Sequence, residues 1–177
     1  MSLCRTLLAL LAAVIVSPTA GAEVTDSSAT GFQLRIAVHI AAAPDKVFAT
    51  IIEPAKWWSP AHTYSNSAAN LSLDAKAGGC FCERLPDGGS VEHLTVASVF
   101  PAKLLRLRGA LGPFQAHGMD GAMTWALSDA KGETDLVVTY DLGGHVKGGF
   151  ADLPQAANGM VTEQVMRLKK FVETGAP

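Results

Sequence analysis

Between Gln33 and Ile40, apolar Leu34, Ile36, Val38 and Ile40 alternate with Gln33, Arg35, Ala37 and His39, which predicts a strand with one buried face. Ala43-Pro44-Asp45 then opens a short helix through Val47, Phe48, Ile51 and Ile52, with Pro44 suited to a first turn. Glu53-Pro54 stops it, and Ala55–Trp58 predicts a second short helical turn. From there period two dominates. Asn70–Asp74, Cys80–Leu85, Val91–Phe100, Leu104–Leu111, Met119–Ser128 and Thr134–His145 are strand-like, most of them separated by turns such as Asp87-Gly88-Gly89 and Ala130-Lys131-Gly132. Such short connections make neighbouring strands antiparallel. The chain closes on a different period: Val161, Val165, Leu168 and Val172 recur at helical spacing beside Met160 and Phe171. Asp152–Thr174 is therefore a helix with one apolar stripe, stopped by Gly175.

These elements make an α+β protein: a seven-stranded antiparallel sheet, two short helices after the first strand, and a long C-terminal helix. A sheet with one apolar face must cover it, and the long helix is the only element able to do so. The concave face would carry Leu34, Ile36, Val38, Leu105, Leu107, Met123, Trp125, Leu127, Leu136, Val138 and Tyr140. The N-terminus reads differently. Arg5 precedes an apolar run from Leu7 to Val16, too short for a spanning helix of about 20 residues, and Ala20-Gly21-Ala22 has the small-x-small form of a signal peptidase site. Residues 1–22 are expected to be a cleaved secretory signal, residues 23–32 a flexible lead-in, and residues 33–174 a single domain. A periplasmic or secreted protein follows, with no stable membrane insertion after cleavage. The chain has 14 basic and 16 acidic residues, so loss of Arg5 with the signal leaves a formal charge of −3. No basic cluster points to nucleic acid.

The order of elements resembles the helix-grip fold of the Bet v 1/START-like (SRPBCC) superfamily, in its polyketide cyclase and Hsp90-activator-like branch. The residues carrying the likeness are Ala43-Pro44-Asp45-Lys46-Val47-Phe48 with Trp57-Trp58, then Gly78-Gly79-x-Phe81-x-Glu83 and Val96-x-x-Val99-x-Pro101-x-x-Leu104. It continues in Gly121-x-Met123-x-Trp125-x-Leu127, Thr134-x-Leu136 and Gln164-x-x-Arg167-Leu168, and spans about residues 33–174. The resemblance implies a curved sheet wrapped around the C-terminal helix, with a cavity between them for a hydrophobic or amphipathic small molecule. Trp57, Trp58, His62, Tyr64, Phe81, Met123, Trp125 and Tyr140 are the expected ligand-binding residues. Monomer or weak dimer is expected. Export disfavours Hsp90 co-activation, because that partner is cytosolic.

Candidate chemistry gathers in two stretches. In a strand, Cys80, Cys82 and Arg84 share one face while Phe81, Glu83 and Leu85 share the other, and the apolar members nominate the latter as inward. A Pro86–Gly89 loop sets Cys82 against His93 and Phe81 against Leu94; a register shifted by one sets Glu83 against His93. Cys80 and Cys82 are open to three readings. They are bonded to each other across about 6.6 Å of extended strand, the upper edge of disulfide geometry; one or both bind a soft metal with His93, with His62 as a further candidate ligand; or they are small hydrophobes buried under the lead-in. The second stretch, Trp57-Trp58-Ser59-Pro60-Ala61-His62-Thr63-Tyr64-Ser65, is expected at the cavity mouth. Glu83, His93 and Tyr64 are the candidate acid/base groups of a cyclase-, isomerase- or hydrolase-like enzyme. Neither a phosphate-binding loop nor a metalloprotease motif occurs, and no cofactor is expected. The glycine-rich loop around His145 reads as a gate or as a plain connector.

Overall fold

The computed structural model describes residues 21–177, so nearly all of the expected signal lies outside the described residues. One eight-stranded antiparallel sheet is formed by β1 (Gly21–Ser27), β2 (Gly31–Ile40), β3 (Leu71–Leu73), β4 (Cys80–Arg84), β5 (Ser90–Phe100), β6 (Leu104–Arg108), β7 (Gly118–Ala130) and β8 (Glu133–His145), in the order β1-β2-β8-β7-β6-β5-β4-β3. Two α-helices accompany it, α1 (Pro44–Ile51) and α2 (Leu153–Thr174). This is the helix-grip arrangement. Short 3₁₀ turns at Pro54–Lys56, Pro60–His62 and Gly112–Ala116 shape the end of the sheet that matters below.

Strand β1 replaces the expected lead-in. GAEVTDS exposes almost every side chain, and among its residues only Val24 packs on the core. The segment therefore lacks the alternation by which a strand is recognised. Backbone pairing holds it instead, from Gly21 opposite Ala37 to Ser27 opposite Phe32. Helix α2 presents Val161, Val165, Leu168 and Val172 to β2, β1 and α1, and each is essentially without solvent contact. It ends on Gly175 at φ 81°, the left-handed turn a Cβ would resist.

Every residue expected on the concave face is buried except Val38, which is half-buried and packs on the same core. Under the middle of the sheet, Trp57, Trp58, Phe81, Leu105, Met123 and Trp125 leave about 20 Å³, room for one water. Trp57 packs tilted against Trp58 and edge-on against Trp125, with ring centroids 5.4 and 6.0 Å away. This part of the sheet face, where no residue of α2 is among the lining, is therefore solid.

Candidate functional site

The chain from Trp57 to Ser65 is fastened along its whole length. Trp57 Nε1 donates to the Thr50 carbonyl at 2.8 Å and Trp58 Nε1 to the His62 carbonyl at 3.0 Å. Arg167 Nε of α2 donates to the Trp57 carbonyl at 2.9 Å. Gln164 sits in the apolar stripe of α2 with no solvent exposure; its Oε1 accepts from Ser59 N–H at 2.8 Å and its Nε2 donates to His62 Nδ1 at 2.9 Å. The amide can only donate, so His62 keeps its proton on Nε2 when neutral.

Glu83 fastens the far end. Its carboxylate is wholly buried and accepts from Tyr64 N–H at 3.1 Å, Ser65 N–H at 2.6 Å and His93 Nε2 at 3.0 Å. Burial alone would raise its pKa, but donation from Ser65, side chain and backbone, then from Tyr64 N–H and His93, outweighs burial and holds the group below its ordinary value. Glu83 is therefore ionised. His93 is 6% exposed, and burial holds its pKa below the ordinary value even though Glu83 pulls it up. A neutral imidazole facing a carboxylate must donate, which leaves Nδ1 a lone-pair acceptor. Among the described residues no protein group donates to it.

The two residues meet through neither of the expected registers. Phe81 does face Leu94, as the first register has it, but Cys82 faces Glu92 and Glu83 faces Val91. His93 is the extra residue of a β-bulge. A regular ladder keeping Phe81 opposite Leu94 would turn His93 outward beside Cys82; the bulge lets His93 and Leu94 both face inward.

Beside His93 a cleft of about 460 Å³ opens at the end of the sheet. One wall is apolar, made by Leu111, Pro113 and Phe114 from the loop after β6 and by Leu153, Ala157 and Met160 from α2. The other wall is His62, Thr63, Tyr64 and His93, with Trp58 at the base. Tyr64 is half exposed and stacks on His93 at 6.0 Å. No Lys or Arg is among the lining residues. The Val146–Asp152 connector is absent from the lining, and its Val146 and Phe150 are buried, Phe150 against Phe32.

Of the residues expected to bind ligand, Trp58, His62 and Tyr64 line the cleft and His93 joins them. Trp57, Met123 and Trp125 belong to the solid core. Phe81 lies behind His93, ring centroids 5.1 Å apart. Tyr140 is fully buried, and its hydroxyl is consumed: it donates to the Gly109 carbonyl and accepts from Leu111 N–H, both at 2.9 Å. Burial raises its pKa far above a phenol's. Tyr140 thus pins the apolar wall, and Gly109 at φ 124° makes the turn into that wall.

Cys80 and Cys82 form a disulfide with Cα atoms 5.3 Å apart. They share the outward face with Thr95 and Glu92, across the strand from Glu83 and His93, so the three expected metal ligands do not come together. Among the described residues no group of three potential ligands is close enough to hold a metal. Nor are the cysteines buried under the lead-in, since β1 is the opposite edge of the sheet.

The sequence reading missed the wall at Leu111–Phe114, the contribution of α2 at Leu153–Met160, and the role of Gln164. One signal was present: an amide between Val161 and Val165, on the apolar stripe of a helix, is a buried polar group that must find partners.

No known family profile matches the chain, and no curated protein sequence does. Solved structures do. A protein from Rhizobium leguminosarum is 19% identical with a TM-score of 0.63, covering 82% of this chain and 97% of that one. The Aha1 dimer from Colwellia psychrerythraea is 18% identical with a TM-score of 0.57, covering 81% and 97%. DynU16, a protein of the dynemicin biosynthetic locus, is 23% identical with a TM-score of 0.55, covering 82% of this chain and 48% of its own. At these identities the likeness shows the fold.

Proposed function

We propose that this chain is a binding protein for a hydrophobic small molecule, held in the end cleft rather than beneath the middle of the sheet, and that the ligand is a neutral aromatic or alicyclic hydroxyl compound. The observation that carries this is the neutral, nine-tenths buried His93 with Nδ1 unpartnered at an otherwise largely apolar cleft. An acceptor there calls for a ligand that donates. A carboxylate brought to Nδ1 would sit about 7 Å from the Glu83 charge, a repulsion of about 2 kcal/mol at an effective dielectric of about 20. That is about thirtyfold in affinity, and no cation in the cleft offsets it. The volume lies in the range of small-molecule sites.

Export is part of the same proposal. The apolar run, the Ala20-Gly21-Ala22 site and a disulfide, which persists in oxidising compartments, support it. Cleavage after Ala22 would remove the first two residues of β1 and leave Glu23 as the N-terminus. A monomer or weak dimer suffices, since the cleft is built from one chain.

Calorimetric titration with 2-naphthol and 2-naphthoate tests the binding reading. Naphthol is expected to bind at least about tenfold more tightly, and Met160→Trp, which fills the cleft, to abolish it. Equal or tighter naphthoate binding would refute the ligand class, and failure of both would refute the site.

A second reading is favoured by one observation, the 3.0 Å contact between ionised Glu83 and neutral His93. A carboxylate that fixes a tautomer and stabilises an imidazolium makes the other ring nitrogen a general base. In an enzyme of the cyclase, isomerase or hydrolase kind, Nδ1 would take the proton of the bound hydroxyl or an activated C–H. Turnover lost in His93→Gln with ligand affinity retained would establish it.

A further inference from the structure

The bulge that delivers His93 to the cleft and the disulfide that clips β4 occupy the same rungs of the ladder. Cys80 faces Thr95 and Cys82 faces Glu92, so the clip closes two steps of β4 opposite three steps of β5, and the surplus residue is His93. A regular ladder needs about 6.6 Å between residues i and i+2. The disulfide holds Cys80 and Cys82 at 5.3 Å, so β4 departs from regular geometry where β5 does. The residue inside the clip is Phe81, whose ring packs on both His93 and Trp58 at 5.1 and 5.3 Å.

The unbulged alternative differs by one step of register. With Phe81 kept opposite Leu94, one rung of rearrangement sets Cys82 opposite His93, sends the imidazole to the outer face, and brings Glu92 inward opposite Glu83. It removes the donor that Glu83 receives from His93 and the acceptor that the cleft presents.

We propose that the Cys80–Cys82 disulfide is a redox-controlled positioning device: oxidised, it holds the bulge that keeps His93 on Glu83 and at the cleft; reduced, it lets β4 and β5 relax to a regular ladder and His93 turn out. Reduction by a dithiol breaks the S–S bond and takes two electrons and two protons. Two cysteine thiols form, and the reductant closes its own disulfide. The clipped loop holds one intervening residue and contributes little through unfolded-state entropy, so opening it leaves the rest of the fold standing. The cysteines are positioning residues, acting through Phe81 and the ladder.

The test needs no ligand, so it stands or falls separately from the binding proposal. The whole processed chain, labelled with ¹⁵N-histidine, is followed by long-range ¹H–¹⁵N spectra across pH before and after dithiothreitol, with thiols counted under native conditions. Oxidised protein is expected to show no thiols, with His93 in the Nε2–H tautomer. Reduced protein is expected to show two thiols, native-like amide dispersion, loss of the fixed tautomer, and a His93 titration midpoint moved upward. The Cys80→Ser/Cys82→Ser double variant should match the reduced spectrum without reductant. Two thiols before reduction, an unchanged His93 signal after it, or global unfolding on reduction would each overturn the proposal.

Discussion

Two regions of this protein are lined by similar side chains and end in opposite states. Beneath the middle of the sheet, aromatic and aliphatic residues close to about 20 Å³; a short distance along, at the end of the same sheet, they leave about 460 Å³. Trp58 belongs to both linings and is the partition between them. The middle is filled where strand side chains, Phe81, Leu105, Met123 and Trp125, meet Trp57 and Trp58 from the segment after α1. At the end, the walls are loops fixed by hydrogen bonds, Trp57–Ser65 by Gln164, Arg167 and Glu83, and Gly109–Leu111 by Tyr140. Loops fixed in this way cannot collapse inward to satisfy their apolar faces. In this protein the location of empty space is set by buried polar anchors as well as by hydrophobic volume.

The largest effect should come from removing the partition. Trp58→Ala is expected to cost about 3–5 kcal/mol in urea unfolding and to merge the two regions, so that an apolar dye binds in a larger, less selective space. A cost under about 1 kcal/mol would mean the two regions were never separate. Next, Glu83→Ala leaves two partly buried N–H groups and the buried His93 donor without an acceptor. A loss of about 3 kcal/mol is expected, with faster hydrogen exchange at Tyr64 and Ser65 than elsewhere. Exchange unchanged there would remove Glu83 as the anchor.

A paired substitution sharpens the contrast. Met123→Trp overpacks the closed region and should cost about 1–3 kcal/mol while ligand affinity in the folded protein stays within about twofold. Met160→Trp should do the reverse, holding stability within about 0.5 kcal/mol and abolishing binding. Exchanged outcomes would place the ligand beneath the sheet after all.

The strands from Leu71 to His145 and both α-helices were legible in the sequence to within a residue or two at most ends, because alternation and helical period were strong there. β1 was not, since a strand held by backbone bonds on an exposed edge writes no hydrophobic pattern. The closeness of Glu83 and His93 was legible as one of two pairings, but the bulge that produces it was not, because a one-residue insertion in a ladder satisfies neither period. The neighbours Trp57 and Trp58 show the deeper limit. They are identical and adjacent, yet one seals the core and the other floors the cleft, a distinction set by the volume available around each ring.

The smallest effect is in pH. His93 has a folded pKa below 6.5, lowered by burial, so as pH falls through 6.5 the unfolded chain takes up a proton that the folded chain refuses, and stability drops. Glu83, also lowered, extends the loss as pH falls below 4.5 toward its folded value. Exposed His39, raised by Asp135 and Glu133, acts oppositely: its contribution is full below 6.5 and fades as pH rises through its folded value. His93→Gln should therefore flatten the decline between 6.5 and 4.5, whereas His39→Gln should leave that decline in place. An unflattened curve in His93→Gln would mean that the imidazole is already protonated in the folded protein.

Binding of a neutral donor at His93 in the end cleft is tested by amide and imidazole shift mapping on titration with 2-naphthol. Shifts are expected to be confined to Thr63–Ser65, Leu111–Phe114 and Leu153–Met160, together with a change at His93 Nδ1, while Met123 and Trp125 stay still. Shifts centred on Met123 and Trp125, or a His93 ring that does not respond to a saturating ligand, would contradict it.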